Sequence, residues 1–291
     1  MRRLRGRSLP RASLILTNGM MYTQCDTSGA PRSGRLPRKP PSRRRLGTLL
    51  RFPLGVVLVS WQYLWRVTAL HRTEAEGDLG DLPPPLPPEH VDDLTKPLHE
   101  GAGPVFHRRF RVRVEGAAMS PQELVGAIAA DLNGPAPSSV AVFHKTRGEK
   151  GAPASPGDEY RVQMPGPWDG PVRVLHRDNS SIRLGTLHGH LEAGQIAFSA
   201  QALDEALEFS VETWSRAGDR VADLLYSRLR VAKEIQFNMW VHFCLGAASL
   251  SGGRPRGGVT IGTRRLSQSF VEAQLRSAGG SSGARTVGRP E

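Results

Sequence analysis

The chain has 291 residues, enough for one large domain or two small ones, and a formal charge of +12. That charge belongs to the ends: residues 1–46 carry a net +11 and residues 254–291 a net +5, which leaves −4 for the middle. The middle therefore gives no reason to expect a specific nucleic-acid partner.

The two cysteines, Cys25 and Cys244, are too few to build a disulfide framework, which favours a reducing compartment. The basic start of the chain does not continue into an unbroken apolar run, because Thr17, Asn18 and Gly19 interrupt it. A signal peptide is therefore not predicted, and we expect a cytoplasmic protein.

Both ends of the chain are predicted to be disordered. Residues 1–46 are rich in Arg, Pro, Ser and Gly without periodicity, and residues 253–291 are predicted to be a second tail. Such segments bury too little apolar surface to offset the entropy lost on ordering. An arm for nucleic acid or anionic lipid is the alternative for the first tail. Met20 and Met21 are later possible starts, so it stays open whether residues 1–46 belong to the native protein.

An apolar helix is predicted over residues 47–73. Its uncharged run, Phe52–Trp65, has fourteen residues, whereas a bilayer crossing needs about twenty. The helix is expected to dock on the core of the protein. Peripheral membrane contact through Phe52–Trp65, or a tilted anchor, is the alternative. Residues 74–104 follow as an acidic, proline-rich strap of extended backbone.

Residues 105–252 are predicted to form the folded domain. The domain opens with a strand, because Phe110 and Val112 alternate with Arg109 and Arg111 and so define one buried face. A helix comes next, with Ser120 as its cap and Pro121 and Glu123 in its first turn, the pattern of a capping box.

Six further strands are predicted, separated by breaks that contain Gly, Pro, Asp or Asn. The six runs are residues 139–145, 158–164, 171–177, 181–188, 194–201 and 206–214. Their short connections favour antiparallel pairing, since parallel strands need long crossovers.

The last predicted element is a long helix over residues 219–247, capped by Asp219 and apolar along one broad stripe. The fold class is therefore α+β: a curled antiparallel sheet of about seven strands, one short helix, and a long C-terminal helix over the inner face. This order of elements resembles the helix-grip fold of the START and Bet v 1-like (SRPBCC) superfamily. That resemblance implies hydrophobic-ligand binding or aromatase- and cyclase-type enzymes.

A narrower resemblance lies in motifs, from about Leu50 to Ser249. The segments are PLGVVLVSWQYLWRVTALHR, GTLHGHLEAGQIAF, FSVETWSRAGDRVADLLY and AKEIQFNMWVHF. They are similar to bacterial members of domain-of-unknown-function family 1990 (DUF1990), and the most specific part is the G-H-x-E-x-G stretch at Gly189–Gly194. The resemblance implies a fold and a shared pocket, but no reaction.

The histidines of this stretch are the candidates for chemistry. On a strand, His188, His190 and Glu192 would share one face. Three ligands are the minimum for a metal site and no second cluster lies nearby, so neither a metal nor a cofactor is predicted. His190 and Glu192 are candidate catalytic residues as an acid–base pair at a pocket mouth. A structural turn is the alternative, because the three glycines of the segment suggest a bend.

A ligand-binding surface is predicted on the long helix and the last strand. Its residues are Trp214, Ile235, Met239, Trp240 and Phe243. His242 and Cys244 are two positions apart on a helix and face different ways, so they do not form a nucleophile pair.

The predicted function is the binding of a small, largely apolar ligand between the sheet and the long helix. One alternative is an enzyme on the same fold that uses His190 and Glu192 for cyclase- or hydrolase-like acid–base chemistry. The other is a membrane-associated adaptor that acts through residues 49–67.

Overall fold

Nine segments with alternating buried and exposed residues pair into a single sheet. The structure, a computed structural model, describes residues 70–138, 141–164, 169–218, 231–271 and 273, with only the backbone described in 231–235. All of them belong to one compact unit, Arg35–Glu291. The strands are β1 (Leu70–Glu76), β2 (Ala102–Glu115), β3 (Val142–Arg147), β4 (Glu159–Gln163), β5 (Asp169–Arg177), β6 (Ser181–Thr186), β7 (Glu192–Leu203), β8 (Ala206–Ala217) and β9 (Arg254–Leu266).

The strand order is β1-β9-β2-β8-β7-β6-β5-β4-β3, so the described sheet has nine strands where about seven were predicted. Strands β2 to β8 correspond to the seven, and each pairs antiparallel with its neighbours. The two additional strands extend the sheet beyond β2, and β1 runs parallel to β9. Residues 70–73 of the predicted apolar helix belong to β1, and residues 47–69 lie outside the described residues.

Strand β9 corrects the prediction of a disordered tail from residue 253. It lies between β1 and β2, and places Val259 opposite Val112 and Ile261 opposite Phe110. The register shifts just before Val259, where Gly257 and Gly258 both have positive φ angles of 70° and 83°. The glycines and arginines of this segment leave only a short alternation of buried and exposed residues, so the strand is not evident from the sequence. The strand is stabilised mainly by pairing with β1 and β2.

One face of the sheet, called the inner face, packs against two helices, α1 (Pro121–Ala130) and α2 (Val231–Leu250). Helix α1 begins as predicted: Ser120 Oγ accepts from the Glu123 amide, and the Glu123 carboxylate accepts from the Ser120 amide. Its residues Leu124 and Ile128 are fully buried in the core.

Helix α2 covers β2, β8 and β9. Residues 219–230 of the predicted long helix lie outside the described residues, and α2 is not C-terminal because β9 follows it. Close packing at its far end depends on Gly246, where a Cβ atom would lie 2.2 Å from the Pro135 carbonyl oxygen. A larger side chain there would push α2 away from the loop after α1.

The predicted strap, residues 74–104, is shorter in the structure, because residues 74–76 belong to β1 and residues 102–104 to β2. The remaining residues 77–101, called the strap from here on, lie across the opposite, outer face. The strap contains three short 3-10 helices, at Leu79–Asp81, Pro88–His90 and Leu98–Glu100. Acidic residues of the strap pair with cationic or imidazole groups of the sheet: Asp81 with His107, Asp92 with Arg173 and Glu100 with His188. Three of the six acidic residues of the strap thus pair with basic or imidazole groups on the surface that it covers.

Candidate functional site

Five polar side chains lie together on the inner face, beside the apolar core. They are Arg108, Glu192, Thr213, Ser215 and Gln236, called here the inner polar cluster. The first four are buried, and Arg108 is only 1% exposed. Charged side chains are seldom buried to this degree unless other groups compensate for the lost water, so the cluster is the unusual feature of the interior.

Hydrogen bonds join four of the five members of the cluster, all except Thr213. Arg108 Nη1 donates to Gln236 Oε1 at 3.3 Å, and Gln236 Nε2 donates to Glu192 Oε2 at 2.7 Å. Ser215 Oγ donates to the other carboxylate oxygen, Glu192 Oε1, at 3.3 Å. The amide of Gln236 therefore links a buried cation on β2 to a buried carboxylate on β7.

Strand register brings these residues together. Arg108 on β2 lies opposite Thr213 on β8, and Ser215 on β8 lies opposite Gly194 on β7. Glu192 precedes Gly194 by two positions, and side chains two apart on a strand point to the same face. Neighbouring positions on three strands thus face the first turn of α2 whose side chains are described, which supplies Gln236.

The guanidinium of Arg108 lies between two aromatic rings. Its central carbon is 4.6 Å from the ring centroid of Phe106 and 5.1 Å from that of Phe237. The faces of aromatic rings attract cations, which partly offsets the loss of hydration. Arg72 approaches the same Phe237 ring, at 5.1 Å.

A group of four aromatic rings forms the apolar part of the interior between the sheet and α2. Phe243 stacks on Phe198 at 4.6 Å between centroids and lies 6.1 Å from Phe209. Trp240 meets Phe198 and Phe243 edge to face, at 5.9 and 6.0 Å. These spacings are those of favourable aromatic pairs.

Two buried polar atoms of the inner face have no hydrogen-bond partner among the described residues. They are the indole nitrogen of Trp240 and the hydroxyl of Thr213. An unsatisfied buried donor or hydroxyl costs about 1–3 kcal/mol. Both atoms therefore have capacity for a further hydrogen bond.

The predicted ligand-binding residues separate into two groups. Met239, Trp240 and Phe243 lie in the interior and belong to one buried cluster. The side chain of Ile235 lies outside the described part of α2. Trp214 is on the other side of the sheet, which corrects its assignment to this surface.

Trp214 faces outward because Val211 and Thr213 on the same strand face inward. Its ring stacks on His107 at 5.2 Å, nearly parallel. His107 in turn has Asp81 Oδ1 2.8 Å from Nδ1 and Glu212 Oε1 2.6 Å from Nε2. Burial alone would raise the pKa of Glu212, but hydrogen bonds from His107 and Arg109 lower it overall. This outer cluster fastens the strap.

The expected row of His188, His190 and Glu192 is not present, because residues 187–191 form a turn between β6 and β7 and are not a strand. Gly189 has a φ of 101° there, which ends the alternation. His188 lies 3.3 Å from Glu100 of the strap, whereas the Glu192 carboxylate faces the inner polar cluster. Acid–base chemistry by His190 and Glu192 stays a prediction.

His190 has a structural role in this turn. Its Nδ1 atom accepts from the Glu192 amide at 2.9 Å, and its carbonyl accepts from Lys96 Nζ at 2.8 Å. Burial is the largest cause of the lowered pKa of His190. The positive charge of Lys96 lowers this pKa further, whereas Glu192 raises it and only partly offsets the decrease. The neutral ring is the form that accepts this bond.

The lowered pKa of His190 makes stability depend on pH in a defined direction. An unfolded histidine titrates near pH 6.5, so below about that pH the unfolded chain binds the proton more readily. The free energy of unfolding should therefore fall as the pH drops from 7 towards 5. In His190→Asn the amide oxygen can accept from Glu192 without titrating, and urea unfolding at pH 5, 6 and 7 should show a shallower decline. His99→Asn, at an exposed site, is the control; an unchanged slope in the His190 variant would contradict the assignment.

The cysteine of α2 is part of the core. Cys244 is fully buried and its Sγ lies 3.9 Å from the Phe110 carbonyl oxygen, while burial raises the pKa of its thiol. A thiol in this state is a poor nucleophile. Within the described residues no group of three or more His, Cys, Asp or Glu is arranged to hold a metal ion. The helices described there include none of the length and hydropathy needed to span a bilayer.

Sequence reasoning did not identify the inner polar cluster, although two signals were present. Arg108 occupies the same alternation as Phe106 and Phe110, which places an arginine among the apolar positions of β2. A cation in that register predicts a buried polar site. Gln236 carried a comparable signal, since it lies in the middle of the predicted helix and at the same helical spacing as Met239 and Phe243 of the apolar stripe.

The comparisons with solved structures give only weak likenesses. A protein from Thermobifida fusca is 14% identical, with 50% of this chain and 93% of that chain covered and a TM-score of 0.37. A hypothetical protein from Helicobacter pylori is 11% identical, with coverages of 49% and 87% and a TM-score of 0.36. A norcoclaurine synthase point mutant from Thalictrum is 10% identical, with coverages of 52% and 96% and a TM-score of 0.36. These TM-scores are too low to establish a shared fold.

Among curated proteins, none matches the chain. A family model does match, over residues 99–242, and its description is Domain of unknown function (DUF1990). The matched residues include the whole inner polar cluster, the turn at His190 and the first half of α2. Residues 99–242 therefore form a DUF1990 domain, whose interior combines a buried arginine–carboxylate cluster with aromatic side chains.

Proposed function

We infer that this protein binds a small, largely apolar molecule that has one polar end, between the inner face of the sheet and α2. The observation that carries the inference is a pair of buried atoms, Trp240 Nε1 on α2 and Thr213 Oγ1 on the inner face, that have no hydrogen-bond partner among the described residues and lie in an interior with buried charges. Sites for small molecules are mainly apolar with a few placed polar groups, and this combination is present here.

In the finer form of the proposal, the domain is a helix-grip domain in which a curled sheet closes around α2. The apolar body of the ligand would lie against the aromatic side chains of Phe198, Trp240 and Phe243. Its polar end would lie towards Thr213, beside Arg108. This division follows from the strand register, since the aromatic positions and the polar cluster occupy successive parts of the same face.

The polar end of the ligand is expected to be a neutral hydroxyl or carbonyl group. Trp240 Nε1 can only donate a hydrogen bond, whereas the Thr213 hydroxyl can donate or accept. Glu192 already accepts from Ser215 and Gln236, which leaves the carboxylate stabilised without a ligand cation. A hydroxyl group suits both atoms. Its oxygen can accept a hydrogen bond from the Trp240 indole, and the group can donate a hydrogen bond to the Thr213 hydroxyl or accept one from it.

Fluorescence titration with N-phenyl-1-naphthylamine, with 1-dodecanol as competitor, tests this function. We expect saturable binding of one probe molecule and displacement by the alcohol. In Thr213→Val and Trp240→Phe the affinity for 1-dodecanol should fall about three- to tenfold, the effect of one lost neutral hydrogen bond. Thr260→Val makes the same change on the outer face and is the matched control.

The decisive result is saturation itself. The interior is not a ligand site if the probe binds without saturation. The same conclusion follows if 1-dodecanol displaces the probe equally well from Thr213→Val and from Thr260→Val. Native mass spectrometry of protein purified from its own host gives a second readout, because a retained molecule of defined mass would be lost from the Trp240 variant first.

A further inference from the structure

The strap contains a run of extended backbone of one particular kind. Leu82 has φ −79° and ψ 150°, and Pro87 has φ −60° and ψ 127°. Both lie near the polyproline II values, and the prolines between them have φ fixed by their rings. The sequence LPPPLP, residues 82–87, is therefore held as a polyproline II segment, and Pro88 begins the 3-10 helix that follows it.

Bonds to the sheet hold this segment at both ends and in its middle. Asp81 pairs with His107 at 2.8 Å just before it, and the Pro84 carbonyl accepts from Gln195 Nε2 at 2.9 Å within it. After it, the His90 carbonyl accepts from Arg173 Nη1 at 3.1 Å. Since the segment is fixed before any partner arrives, binding to it would cost little ordering entropy.

The side of the segment that faces away from the sheet is apolar and exposed. Pro84, Pro85 and Pro88 are exposed, and Leu79 and Val91 flank them at 57% and 50% exposure. Leu79 and Val91 are the exposed large hydrophobic residues of the described chain, and both belong to the strap. A concentration of exposed apolar residues on one element marks an interaction surface.

Acidic residues surround this surface. Asp78, Glu89 and Asp93 are exposed, and there is no Lys or Arg between Arg72 and Lys96. A partner that covers the surface must therefore tolerate or complement negative charge. Positive charge at the rim of its groove would speed association and select against acidic competitors.

We propose that the exposed ridge of the strap, formed by Leu79, Pro84, Pro85, Pro88 and Val91, is a docking site for a partner protein with an aromatic-lined polyproline II groove and a basic rim. Such grooves bind proline side chains between aromatic rings and recognise the preformed polyproline II helix. The ridge lies on the outer face and the inner polar cluster on the inner face, so docking and ligand binding are separate properties.

Direct binding measurements with the full chain test the proposal. The probes are purified SH3, WW and EVH1 domains selected for basic groove rims, each titrated with the protein by isothermal calorimetry. At least one should bind in a salt-dependent manner, and Pro85→Ala together with Pro88→Ala should weaken it about fivefold or more, the effect of losing a contact worth over 1 kcal/mol. Pro156→Ala alters an exposed proline elsewhere and should leave the affinity unchanged.

A second variant excludes loosening of the strap as the cause. Val91→Ser keeps every proline and should also weaken the complex, while the melting temperature stays that of the parent protein. The proposal is overturned if no domain of the panel binds, or if the proline and Val91 variants bind as well as Pro156→Ala. Sedimentation equilibrium that shows self-association abolished by the same substitutions would overturn it too, since the ridge would then be a contact between two copies of this chain.

Discussion

Replacement of Arg173 by methionine should lower the free energy of unfolding by about 3 kcal/mol, as expected for the loss of one partner from a buried ion pair. Arg173 is 3% exposed. Its Nη2 atom donates to Asp92 Oδ2 at 2.8 Å and to Glu159 Oε1 at 2.6 Å. Burial opposes the charge of Arg173, but the bonds to the two carboxylates raise its pKa overall. Methionine would leave Glu159 without its buried partner and the strap without its central attachment.

The neighbouring Arg147 provides a matched control for this substitution. It lies 3.3 Å from the same Glu159 carboxylate, but its side chain is 66% exposed. An exposed ion pair of this kind contributes up to about 1 kcal/mol, so Arg147→Met should have a small effect on urea unfolding. Hydrogen exchange should also show the strap amides near Asp92 opening faster in Arg173→Met alone. Equal losses in the two variants would mean that the strap does not depend on the buried arginine.

The strap also explains part of what the sequence could not predict. Its composition indicated extended backbone, which is a local property and follows from proline. Its location depends on partners far along the chain: Asp81 meets His107, and Asp92 meets Arg173. No local pattern of the strap identifies these partners, because an acidic residue pairs equally well with any accessible cation. The place of the strap on the sheet is thus a tertiary property.

Strands β2 to β8 and helix α1 were predictable for the opposite reason. Their signals lie within one element: alternation for the strands, and a capping box at Ser120 for the helix. Strand β9 could not be predicted in this way, because its alternation of buried and exposed residues is limited to Val259, Ile261 and Thr263. Its stability depends on pairing with β2. A strand that depends on pairing with distant partners is one that local patterns describe poorly.

The residues of the candidate site also differ in whether a pattern within one element predicts their position. Met239, Trp240 and Phe243 were predictable from the apolar stripe of the helix, and all three are buried. Trp214 does not belong to this surface, because on β8 it alternates with Val211 and Thr213, which face inward. The size and apolar character of a tryptophan predict burial but not direction, which the alternation of the strand decides.

The largest effect on the interior is expected from Phe243→Ala, at about 4 kcal/mol of lost stability, within the range for buried phenylalanine. Phe243 is fully buried and stacks on Phe198 at 4.6 Å, with Trp240 and Phe209 as further ring neighbours. Alanine removes a ring that three other rings contact, and rigid neighbours collapse only partly into such a space. Urea unfolding measures the loss. Phe270→Ala, a half-buried ring of the outer face, should cost about 1 kcal/mol because less apolar area is buried there.

The same variant separates a ligand site from a closed core. An apolar cavity that replaces a phenylalanine ring binds small apolar molecules, so N-phenyl-1-naphthylamine should restore part of the stability of Phe243→Ala if its site adjoins the ring. In a core without a neighbouring site, the large probe would find no room, and the variant would stay destabilised at every probe concentration. Restoration in Phe243→Ala together with none in Phe270→Ala would locate the ligand between α2 and the inner face, and the reverse pattern would exclude it from there.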